Sequence, residues 1–82
     1  MSQQEIVSAM VSHILEDIAT QKGEMVTTRD TLTDSFRFLP DDIREDVSAA
    51  VSPLVAALST MVQACDEVRV RMLDVDKRHG VH

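Results

Sequence analysis

From Val47 to Cys65 the chain carries no charge, and large apolar residues recur through and beyond that run at alternating spacings of four and three. Val47, Val51, Leu54, Leu58, Met61, Cys65, Val68, Met72 and Val75 hold the pattern. Residues so spaced line one side of a long helix packed lengthwise against other helices. The pattern constrains packing strongly and names no reaction.

Length limits what that helix can pack against. Eighty-two residues allow one domain with a small core, and a chain this short often needs a partner or a staple. Cys65 is the single cysteine, which excludes an internal disulfide and a four-cysteine zinc site. Trp and Tyr are absent, and Phe36 and Phe38 are the only aromatic residues.

The pattern predicts an all-α fold: a long antiparallel helical hairpin that forms one domain over residues 1–82 and dimerises into a four-helix bundle. Helix 1 is expected over about 3–38. Ser2 and Glu5 have the spacing of a capping box, and a broad stripe from Ile6 to Ile18 follows. Gly23 can end that helix or sit within it. The four-three spacing continues across Gly23 to Leu39, which favours continuity at a cost of about 1 kcal/mol. Pro40 sets the turn at 38–41, because it disfavours helix at Leu39 and suits the start of the next one. Helix 2 is expected over about 42–77. It should bend near Pro53, which lacks an amide proton, and fray over 79–82.

Helix 2 also has a second demand for burial. Ala50, Ala57 and Ala64 repeat every seven residues and leave room for a backbone to approach closely. A helix in an isolated hairpin needs burial on one side only. The expectation is therefore a homodimer whose seam is built from Val47, Val51, Leu54, Leu58, Met61, Cys65, Val68 and Met72.

Charge narrows the partners. The formal net charge is −6; residues 1–46 hold ten acids against four bases, and residues 47–82 hold four of each. That balance speaks against nucleic acid, whose binders need basic surface. The uncharged run reaches the length of a membrane span, but Ser48, Ser52, Pro53, Ser59, Thr60 and Gln63 interrupt it, so no membrane association is expected. The opening Met1-Ser2-Gln3-Gln4-Glu5 lacks the basic start of a secretion signal. With a lone thiol, a cytoplasmic location is expected.

Catalytic and metal-binding patterns are weak. His13 has Glu16 and Asp17 three and four residues on, but nothing answers them elsewhere, and Asp74, Asp76, His79 and His82 would form only a loose terminal set. Cys65 has no histidine at helical reach to activate it, and neither Gly23 nor Gly80 belongs to a phosphate-cradling motif. Neither an enzyme nor a cofactor is expected. The composition points to a small acidic adaptor, regulator or chaperone-like protein that acts by binding another protein. A self-assembling structural component of a larger complex or particle is the alternative, and a metal-binding or catalytic bundle the third reading. For protein binding the candidate residues are the acids Asp30, Asp34, Asp41 and Asp42 with Phe36 and Phe38 at the hairpin end.

Overall fold

The computed structural model describes residues 2–81. Helix α1 spans Gln3–Ser35, a single 3-10 turn follows at Phe36–Phe38, and α2 spans Asp41–His79. The two helices fold back on one another as an extended all-α hairpin measuring 62 × 15 × 14 Å.

Local chemistry explains each boundary. The amide of Glu5 donates to Ser2 Oγ at 3.2 Å, which satisfies one free donor at the start of α1. Proline at position 40 caps α2: its carbonyl accepts from the amides of Ile43 and Arg44, and Asp41 and Asp42 lie in the first turn, where the helix dipole favours negative charge. No side chain caps this end. Lys77, Arg78 and His79 occupy the last turn of α2, the complementary arrangement.

Both weak points lie inside continuous helices. The first helix runs through Gly23, where a Cβ would meet nothing within 4 Å. Gly23→Ala is therefore expected to stabilise the hairpin by about 1 kcal/mol. A thermal melt should rise by about 5 °C; an unchanged or lower melt would show that the missing side chain serves a contact. Likewise α2 continues past Pro53, which faces solvent and leaves the Ala49 carbonyl without its helical donor.

Along α2 the residues turned toward α1 form a heptad of their own. Val51, Val55, Leu58, Val62, Cys65 and Met72 are buried or half-buried. On α1 the facing strip includes Val11, Leu15, Ile18, Met25 and Leu32. Between the helices Lys22 Nζ pairs with Asp66 Oδ1 at 2.5 Å, and Ser8 Oγ donates to Asp76 Oδ1 at 2.7 Å. The same Ser8 oxygen accepts from the amide of Val81 at 2.9 Å, and Gly80 is buried beneath that contact. Val81 near the chain end thus reaches back to α1; the fraying expected over 79–82 extends to His82, which lies outside the described residues.

Packing within one chain remains thin. Only Val11 and Leu58, at 4% and 7% exposure, are buried apolar residues among those described. The accessible surface is 6086 Å², against about 4,900 Å² for a compact protein of this mass. The radius of gyration is 18.5 Å, where a compact domain of this length has about 12 Å. One layer of two helices has no third element to close over its free sides.

Candidate functional site

Two surfaces stand out: the tip of the hairpin and the outer face of α2.

The tip is braced by Arg44. α1 ends with no glycine cap and no basic residue in its last turn, and passes directly into the 3-10 turn. Arg44, in the first turn of α2, holds the carbonyls of the connection that follows α1. Its Nε donates to the Phe36 carbonyl at 3.0 Å and its Nη2 to the Leu39 carbonyl at 2.9 Å. The remaining amino group, Nη1, pairs with Asp41 at 3.0 Å. The sequence reading passed over Arg44; the signal was a cation four residues past Pro40, beside a helix end without a cap. Replacing Arg44 by Ala is expected to cost about 2 kcal/mol. Lysine should recover little of it, because one ammonium cannot span both carbonyls and the carboxylate. Chemical denaturation of the three proteins measures this, and equal stability of Arg44→Lys and the parent would refute the bracing role.

On this braced turn Phe38 stands 80% exposed, while Phe36 is half-buried against the hairpin. The guanidinium of Arg37 lies 5.5 Å from the Phe38 ring centroid and also pairs with Asp34 at 2.5 Å. The Asp30 carboxylate pairs with the neighbouring Arg29, at 3.4 Å. The structure thus brings Asp34, Phe36, Phe38, Asp41 and Asp42 to one end of the rod and places Asp30 lower on α1. The tip is an aromatic side chain on a braced turn, ringed by acids that are partly neutralised by arginine.

The outer face of α2 is a second heptad, displaced from the α1-facing one by one residue, or about 100° around the axis. It runs Ile43, Val47, Ala50, Leu54, Ala57, Met61, Ala64, Val68, Arg71 and Val75. Ile43, Leu54, Met61 and Val68 are between 42% and 51% exposed. The seam expected from the sequence therefore divides. Val51, Leu58, Cys65 and Met72 turn toward α1, while Leu54, Met61 and Val68 turn outward, with Val47 half-buried at their edge.

His13 and Asp17 approach to 3.6 Å on an exposed surface. Asp74 is held by Arg78, and Asp76 by Ser8. Among the described residues no three of His, Cys, Asp and Glu assemble as metal ligands. Cys65 is half-buried beside a shallow groove lined by Ile18, Lys22, Gly23, Val26 and Arg69. By length and composition α2 would also be able to cross a membrane, a property it shares with core helices of bundles. No family model, no curated protein and no solved structure matches this chain.

Proposed function

We propose that the chain is a small acidic adaptor of the cytoplasm that acts by protein–protein binding, as a homodimer of hairpins closed into a four-helix bundle. The observation that supports this reading best is the uncovered apolar seam along α2, on a chain with only two buried apolar residues among those described. Exposed apolar faces of that length mark interaction surfaces. The seam holds the dimer, and the braced tip meets the client through Phe38, with Asp34, Asp41 and Asp42 attracting a basic or amphipathic surface. Ser48, Ser52, Ser59 and Gln63 interrupt α2 with polar groups, which suits a bundle better than lipid.

Recovery of the full-length protein from its native cells, beside a Phe38→Ser variant, tests the adaptor reading. One specific protein at near-equal stoichiometry is expected with the parent, lost with Phe38→Ser and weakened steeply toward about 0.5 M salt, where exposed charge is screened. Recovery of the protein alone in large assemblies would instead favour a structural component of a larger particle, and recovery in the membrane fraction a lipid-embedded α2.

A further inference from the structure

The outer seam of α2 has a periodicity that makes it complementary to itself in one orientation. Its small residues, Ala50, Ala57 and Ala64, alternate with its large ones. When two copies of α2 run antiparallel, centred between residues 57 and 61, Leu54 faces Ala64, Ala57 faces Met61 and Ala50 faces Val68. Each large side chain then fills the space left by an alanine, so the helices approach closely without a void. The ends match too, with Ile43 against Val75. Sliding the pair by one heptad keeps the alternation but leaves apolar residues at both ends uncovered. A parallel pair would set Leu54 on Leu54 and alanine on alanine, which alternates bulges with gaps.

We infer that the occupant of this seam is a second copy of the same chain, docked antiparallel in that register. The inference rests on the dimeric reading above and specifies its geometry. Three observations support it. The surface in excess of a compact protein is about 1,200 Å² per chain, enough for the roughly 800 Å² per partner of a stable interface. The two seams of α2 lie about 100° apart, close to the angle between neighbours at a corner of a four-helix bundle. The seam is uncharged apart from Arg71, which this register sets opposite Val47 and beside Asp46 of the second copy. Such a dimer is a rod with a Phe38 tip at each end, about 60 Å apart along the axis. It can engage two clients, or two sites on one client, simultaneously.

Spin labels test orientation and register together. Glu45 is exposed and lies on neither seam. In the full chain with Cys65→Ala and Glu45→Cys, a nitroxide label reports the separation of the two residues 45 by pulsed dipolar spectroscopy. The antiparallel register places them about 28 residues apart, a separation of about 42 Å along the axis. Values near roughly 31 or 52 Å, one heptad away in either direction, would overturn the register. A value below about 20 Å would overturn the orientation, since a parallel pair sets the two labels side by side. Both outcomes leave dimerisation and the adaptor reading intact. An unmodulated signal from a folded monomer would overturn self-docking and the dimeric reading together. The same measurement on Met61→Ala, which shortens one seam residue without adding charge, should keep the distance and lower the dimer fraction; a dimer fraction equal to the parent's would place the contact elsewhere.

Discussion

Leu58→Asp is expected to unfold the hairpin. Among the described residues, Leu58 is one of the two apolar side chains that α1 and α2 bury between them, at 7% exposure. Aspartate there removes the packing of a core leucine, a loss of about 2–5 kcal/mol. It also places an uncompensated carboxylate between two helices, which costs several kcal/mol more unless the helices separate. Small domains have a total stability of about 5–15 kcal/mol, and this one has little core to spare. The far-ultraviolet circular dichroism of Leu58→Asp at neutral pH should therefore lose most of its helical signal. Helicity equal to the parent's, with an unchanged melt, would mean that α1 does not pack on this strip.

Met61→Asp, three residues on, should behave differently. Met61 is 44% exposed in the hairpin, so a carboxylate there stays hydrated in the single chain. In a dimer closed through the outer seam the two substituted residues lie on either side of the symmetry axis, each facing Ala57 of the other copy. At about 2 kcal/mol for each desolvated carboxylate, the dissociation constant should rise roughly a thousandfold. Helix content should recover at high protein concentration, which separates this variant from Leu58→Asp. A dissociation constant within about threefold of the parent's, a difference of less than about 1 kcal/mol, would exclude the outer seam as the dimer contact.

The contrast between these neighbours shows what the sequence made legible. Helices, turn and period follow from local rules: Ser2 starts α1, Pro40 ends one helix and begins the next, and the four-three spacing survives Gly23 and Pro53. Division of the apolar spacing between two neighbours does not follow from such rules. Val51 and Leu58 belong to the strip against α1, and Leu54 and Met61 to the strip beside it, although all four lie on a single heptad. Val55 and Val62, which complete the inner strip, and Ile43, which begins the outer one, lay outside that reading. A period fixes the direction of a strip only to within its width. Which edge α1 covers depends on how the two helices dock, an arrangement in which Lys22 meets Asp66 and Ser8 meets Asp76. At the tip the acids and phenylalanines were visible as residue types. The bracing by Arg44 was not, because it depends on carbonyls that only the fold brings within reach.

As proposed, this hairpin is half of a closed unit. Sedimentation equilibrium of the intact chain at micromolar concentration tests it most directly. A single species at twice the chain mass of 9.1 kDa, unchanged as concentration rises, is the expected result. A fully helical, cooperatively melting monomer of 9.1 kDa over the same range would contradict it.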